Sequence, residues 1–234
     1  MKNLWKKHKN ATIYIIGTGP SLRLVPPEFF SDKVTIGLNE AYRYTKKNTY
    51  NLTIHPELIP RNEEKRKQTG QWITKIKDWL ANYTGCKCLK EEFYIFKNNP
   101  DVTDFSFLKA PPESDKLYVG RGIHTAAMSL AARMGASFVV LVGCDFVQLG
   151  EDHHAFPSHV QFHGVEHQKV YREYYVCAQK VRADLMSLYP DIRFLTITPY
   201  LGLQFFSEEY EQLSQKLNLP QLPPAKDISK YNRT

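Results

Sequence analysis

The residues that could do chemistry stand in a recognisable order along this chain. Gly17-Thr18-Gly19-Pro20-Ser21 ends the apolar run Ile13 to Ile16. Glycines at such a turn remove side chains and leave backbone N–H groups open, and ahead of a helix start they make an anion site. Ser21 would cap that helix or bond a phosphate oxygen. The pattern is not G-x-G-x-x-G, because Leu22 stands at the third glycine position, and it lacks the lysine of a P-loop. Asn39, in "IGLNEAY", offers an amide to a ribose or a base. A second glycine pair, Gly120 and Gly122, precedes His124-Thr125, where Thr125 is the better ligand contact and His124 a helix-start residue. Asp145 closes "FVVLVGCD" and either caps a loop or meets nucleotide or metal.

Five of the eight histidines lie between His153 and His167. For any single one, an incidental place in a polar loop is the plain reading. His159, His163 and His167 fall at i, i+4, i+8, but Pro157 and Gly164 oppose one helix there, and no cysteine or E-x-x-H motif supports a metal site. Imidazoles titrate near neutral pH and can donate to a departing phosphate. The cluster follows Asp145, so acid/base chemistry is the preferred reading, with His163 first and His154 second.

To hold these residues the chain must build a sheet. "TIYII" (12–16), "VTIGL" (34–38), "NLTIH" (51–55), "FYIF" (93–96), "FVVLV" (138–142) and "IRFLTI" (192–197) are apolar on both faces, as strands covered on both sides must be. Helical patterns intervene at 124–135, rich in alanine and stopped by Gly135, and at 166–190, stopped by Pro190. A third helix is expected over "EKRKQTGQWITKIKDWL", with Trp72, Ile76 and Trp79 on one side. This alternation predicts an α/β, Rossmann-like, mainly parallel sheet with helices on both faces. Ligands in such sheets bind beyond the carboxyl ends of the strands, where Gly17–Ser21, Asn39–Glu40, His55 and Asp145 stand. The tryptophans and the tyrosines of 171–175 read as core.

The 234 residues suit one domain, taken as 1–219 with a lid at about 147–170, followed by a Pro-rich polar tail, 220–234. The +7 charge gathers in Lys2, Lys6, Lys7 and Lys9 and in "RNEEKRKQ" (61–68), read as a solvated tail and a solvated helix face, not a nucleic-acid surface. Such a field would also attract anionic nucleotides or an acidic membrane surface. Cys86, Cys88, Cys144 and Cys177 read as free thiols. No apolar run is long enough to cross a bilayer and no signal region follows the basic start, so a soluble, cytoplasmic protein is expected.

"GTGPSL", "GLNEAY", the glycine-led alanine helix and "LVGCDF" together resemble the bacterial lipooligosaccharide sialyltransferases. They resemble equally the motility accessory factor glycosyltransferases and the archaeal 6-hydroxymethylpterin diphosphokinases. The resemblance runs from about Ile13 to Pro199, with gaps. "GCDFVQLGEDHHAF" leans toward the sialyltransferases, and in "SHVQFH" His163 follows Ser158-His159 at the spacing of their catalytic base. The resemblance implies a GT-A-variant fold and gives Gly17, Thr18, Gly19, Pro20, Ser21, Asn39, Gly122, Thr125 and Asp145 to the nucleotide. The family's lid is largely missing between Phe156 and Ser158, and its two phosphate-holding tyrosines correspond to Val147 and approximately His154. A family asparagine corresponds to His55, so His55, His153 or His154 must help with donor phosphate or acceptor. The expected partners are a CMP-linked sugar donor and a glycan or lipid-linked glycan acceptor. The same expectation allows peripheral contact at the inner membrane surface and a homo-oligomer, without nucleic acid. No cofactor is required, except Mg²⁺ in the diphosphokinase alternative; a binding module that has lost the chemistry is the non-enzyme alternative.

Overall fold

The computed structural model describes residues 2–75, 93–96, 117, 122–146, 155, 167–197, 200–201, 215–219 and 226–227. Seven strands form one wholly parallel sheet: β1 (Thr12–Ile16), β2 (Val34–Leu38), β3 (Tyr50–Thr53), β4 (Gln71–Lys75), β5 (Phe93–Phe96), β6 (Phe138–Val142) and β7 (Arg193–Ile197). Their spatial order is β5-β4-β3-β2-β1-β6-β7. Ile15 of β1 lies between Ile36 of β2 and Leu141 of β6. The chain steps outward from β1 to β5 and then returns to the far side of β1. Strand order therefore reverses between β1 and β6, and in such sheets ligands bind beyond the strand ends at that reversal.

The strand residues explain the layers. β1, β2, β6 and β7 bury every residue after their first. Runs apolar on both faces need cover on both faces. One face carries α3 (Ile123–Arg133) and α4 (His167–Leu188) on a core that includes Ile13, Ile36, Leu52 and Phe194. The other packs Tyr14, Ile16, Val140 and Leu195 under two 3-10 turns, Pro20–Leu24 and Pro27–Phe30, and the short α1 (Tyr42–Thr45). α3 is buried along its whole length, and its alanines let it lie close between sheet and α4.

Two expectations are corrected. The helix expected across 64–80 ends early: α2 (Glu63–Thr69) is capped by the Asn62 side chain, which accepts from Lys65 N. It stops at Gly70, whose φ of +115° no helix continues. Trp72 then lies buried in β4, paired with Asn51 of β3, so sheet pairing overrides the helical spacing. Ile76 and Trp79 lie outside the described residues. The basic start keeps Lys6, Lys7 and Lys9 exposed, as a solvated segment should, but its backbone is docked. Leu4 is buried, and the N–H groups of Lys6, His8 and Asn10 donate to the carbonyls of Arg133, Met134 and Gly135 at 2.8–2.9 Å. These bonds satisfy carbonyls that α3 leaves open at its end, where lysine charge is also favourable.

Lys226–Asp227 of the Pro-rich tail pairs in parallel with Tyr200–Leu201. Cys144 and Cys177 are free thiols, and Cys86 and Cys88 lie outside the described residues. Among the described residues, no helix is long and apolar enough to cross a membrane.

Candidate functional site at the strand-order reversal

The glycine turn after β1 is closed against the exit of β6. Gly17 N donates to Val142 O at 2.7 Å and Gly19 N to Gly143 O at 2.8 Å. Ser21 N then donates to Asp145 Oδ2 at 2.8 Å, and the Ser21 hydroxyl donates to Asp145 Oδ1. A Cβ on Gly17 would lie 2.3 Å from Gly143 O, and one on Gly19 would lie 2.6 Å from Asp145 Oδ2. What approaches this backbone is the chain's own β6 exit. The open-N–H anion cradle is thereby corrected, because three of the turn's donors already have internal acceptors. The expected helix start is a five-residue 3-10 turn, too short for a strong terminal dipole. Asp145 takes the loop-holding role: its buried carboxylate joins two loops 124 residues apart in sequence.

This closure leaves a cavity of about 130 Å³ beside it. Gly17, Thr18, Gly19, Asn39 and Asp145 line it, as does His124. Pro20, Ser21, Gly122 and Thr125 do not appear in its wall. Asn39 sits at φ +51°, a left-handed conformation that asparagine tolerates better than most residues. The Thr53 hydroxyl donates to Asn39 Oδ1 at 3.0 Å, which leaves the amide NH₂ as the donor for a guest.

At the start of α3 the expected roles are exchanged. Thr125 is fully buried, and its hydroxyl donates to Gly122 O at 2.7 Å, a local helix-start bond. His124 faces the cavity instead. Its ring lies over Gly122, where an added Cβ would come 2.4 Å from Cε1, so that glycine makes room for imidazole. The ring packs edge-on to Phe146 at 4.9 Å and Tyr174 at 5.9 Å, and Nε2 donates to Tyr174 O at 3.2 Å. Burial pushes its pKa down to about 4, against the weaker opposing pull of the Tyr174 carbonyl. The ring is therefore neutral at pH 7, with Nδ1 left as an acceptor.

Tyr174 and Tyr175 of α4 pack on the core as expected, while Tyr171 and Tyr174 also line the cavity. Their i, i+3 spacing was the available signal. Burial, then Tyr174 and Asp145, raise the Tyr171 phenol above its usual range. Burial, with Asp145 beside it, raises the Cys144 thiol far above its usual range, so it is no nucleophile at neutral pH.

His55 stands apart, at the exit of β3. Its backbone N–H donates to Thr53 Oγ1 at 2.9 Å, and Nδ1 lies 3.1 Å from Glu57 Oε1. It lines a second groove of about 650 Å³ with Arg43, Arg61 and Lys65, next along the sheet from Asn39. The buried Glu40 carboxylate accepts from Arg43 Nη1 there at 3.0 Å. His153, His154, His159 and His163 lie outside the described residues. One residue of their segment is placed: Ala155 N donates to Thr18 O at 2.7 Å, and Ala155 O accepts from Arg23 Nε at 2.8 Å. The chain just after His154 thus sits on the glycine turn. Among the described residues no group of three His, Cys, Asp or Glu side chains could hold a metal ion.

No protein-family model matches the chain, and no curated protein matches it in sequence. Solved structures do match. The chain is similar in fold to the sialyltransferase CstII from Campylobacter jejuni, solved with cytidine-5'-monophosphate. That match has a TM-score of 0.50 and 14% identity, and covers 88% of this chain and 98% of CstII. At that identity the likeness is one of fold. A mammalian sialyltransferase matches at 18% identity and TM-score 0.44, covering 79% of this chain and 68% of its own. The MAf glycosyltransferase of Magnetospirillum magneticum matches at 13% and 0.43, covering 70% and 28%.

Proposed function

We propose that this protein is a glycosyltransferase of the sialyltransferase type. It transfers a nonulosonic acid from a CMP-linked donor to a glycan acceptor. One observation carries the reading: the glycine turn, Asn39 and the Asp145 loop converge on a single cavity where strand order reverses, in a sheet folded like that of CstII. The base or ribose would occupy this cavity, with the Asn39 amide donating and His124 Nδ1 accepting. The acceptor hydroxyl oxygen attacks the anomeric carbon as the bond from that carbon to the phosphate oxygen breaks. CMP leaves with the electron pair, and a general base takes the hydroxyl proton. His163 is that base, with His154 the substitute; Ala155, next to His154 in sequence, is tied to Thr18 of the glycine turn. His55, one groove away, serves the acceptor or the departing phosphate.

Thermal-shift screening with CMP, CDP, UDP, GDP and ATP tests the nucleotide first, and CMP should stabilise most. ATP stabilisation without any from CMP overturns the reading. His163→Ala should then lower turnover roughly 10²- to 10⁴-fold with nearly unchanged nucleotide affinity. Asn39→Ala should weaken CMP binding instead.

A further inference from the structure

A wide recess lies at the opposite end of the sheet. A groove of about 820 Å³ opens where β2, β3 and β4 begin. Its walls are the Pro27–Phe30 turn, the loop from α1 to β3, and the end of α2. Five of its described lining residues are cations, Lys33, Lys46, Lys47, Arg66 and Lys67, against one carboxylate, Glu28. Its volume falls within the range, about 300–1,000 Å³, of small-molecule sites.

The floor is rigid and satisfied within itself. Thr35 and Thr49 exchange backbone-to-hydroxyl bonds at 2.9–3.1 Å. Thr45 donates to Asn48 Oδ1, Asn48 Nδ2 to Asn51, and Asn51 to Thr69 O, all within 2.8–3.0 Å. Such a floor asks nothing of a guest, so recognition falls to the cations above it. Lys33 pairs with Asp32 at 2.7 Å and Lys67 with Glu63 at 2.6 Å. The carboxylates of both pairs are largely exposed, at 75% and 53%. Pairs of this kind hold weakly and yield to a more highly charged partner. Lys46 and Lys47 are exposed, and neither has an ionic or hydrogen-bonded partner among the described residues. A second segment adds charge at the same end: Lys7 Nζ sits 5.6 Å from the ring of Tyr50, the first residue of β3, three positions after Lys47.

We propose that this groove is a second ligand site, for a compact anion bearing several phosphate groups, held chiefly by Lys46 and Lys47 with Lys33 and Lys67 turning in. Concavity favours a compact solute over a flat surface. Lysine ammonium groups suit phosphate as point charges that need no fixed geometry. The site is independent of the transfer reaction at the other end of the sheet.

Calorimetric titration of the whole chain with sodium tripolyphosphate at low ionic strength tests it. Saturable binding is expected, weakening as salt rises. Lys47→Glu should lower affinity roughly ten- to a hundredfold, the usual worth of one charge-assisted contact, whereas Lys180→Glu, also exposed but on α4, should leave it unchanged. Lys46→Gly supplies a variant that cannot lose affinity by misfolding. Lys46 holds a φ of +66°, which glycine adopts freely, so the fold should be as stable or more so while binding falls. Sedimentation with phosphatidylglycerol vesicles separates the sources of the phosphate: no capture alongside tripolyphosphate binding is expected, and capture that Lys47→Glu abolishes overturns the soluble anion in favour of a lipid headgroup. No saturable binding, or equal losses in Lys47→Glu and Lys180→Glu, overturns the proposal.

Discussion

The two ends of this sheet solve opposite problems. At the carboxyl end, backbone meets backbone: the turn after β1 and the exit of β6 touch through Gly17, Gly19 and Gly143, and the cavity beside them is small. The groups flanking that cavity are a carboxylate already bonded to Ser21, a neutral imidazole and two phenols. At the amino end a wide groove is walled by loops and rimmed by lysines. Parallel strands explain the contrast. Where strand order reverses, the two loops pack backbone on backbone and leave beside them a small cavity that main chain shapes finely. Where the strands begin, long side chains on the connecting loops define the recess. The carboxyl end should therefore be sensitive to a single added carbon, and the amino end to charge.

Gly17→Val should have the largest effect. Its Cβ would meet Gly143 O at 2.3 Å, a backbone atom with no side-chain freedom to yield. A loss at or above the ~3 kcal/mol upper end of ordinary overpacking is expected, read by chemical denaturation. A near-wild-type midpoint would mean that the turn is not closed against β6.

Next comes the pH dependence set by His124. Its pKa falls from the usual 6.5 to about 4 on folding, so the unfolded chain takes the proton first. Stability is full above pH 6.5 and declines as pH falls from 6.5 toward 4, by on the order of 3 kcal/mol for this residue. His124→Gln should flatten that stretch of the profile. An unchanged slope in the variant would place the titration elsewhere.

Asp145→Ala strands two buried donors of Ser21 and should cost about 2 kcal/mol, whereas Asp145→Asn, which keeps an acceptor, should cost less. Equal losses in the two would show that charge, and not hydrogen bonding, ties the loops. The smallest change belongs to the amino end. Tyr50→Phe removes the 2.9 Å bond to His8 Nε2 and should cost about 1 kcal/mol, measured as a shift in Tm.

The sheet was legible because its signal is local. Five residues that are apolar on both faces announce a covered strand wherever they occur, and β1, β2, β5 and β6 begin and end where that pattern says. Alternation with helical patterns then implies parallel pairing, and a glycine turn at the end of the first strand points to the crevice. Gly17, Thr18, Gly19, Asn39 and Asp145, all chosen from strand exits, do line one cavity. Tertiary structure alone decided what each of them does there. Whether a glycine frees its N–H for a ligand or gives it to a neighbouring strand depends on which strand lies alongside, and that neighbour is β6, more than a hundred residues away. The same distance hides the tie from Asp145 to Ser21 and the placing of His124 instead of Thr125 in the wall, since both need α3, α4 and β6 assembled. It hides the split of the 64–80 helix too, because spacing within one segment cannot register that β3 offers a paired edge to Trp72. Local pattern encodes how each segment covers its own apolar groups; which backbone groups are left over is settled only when the strands take their order.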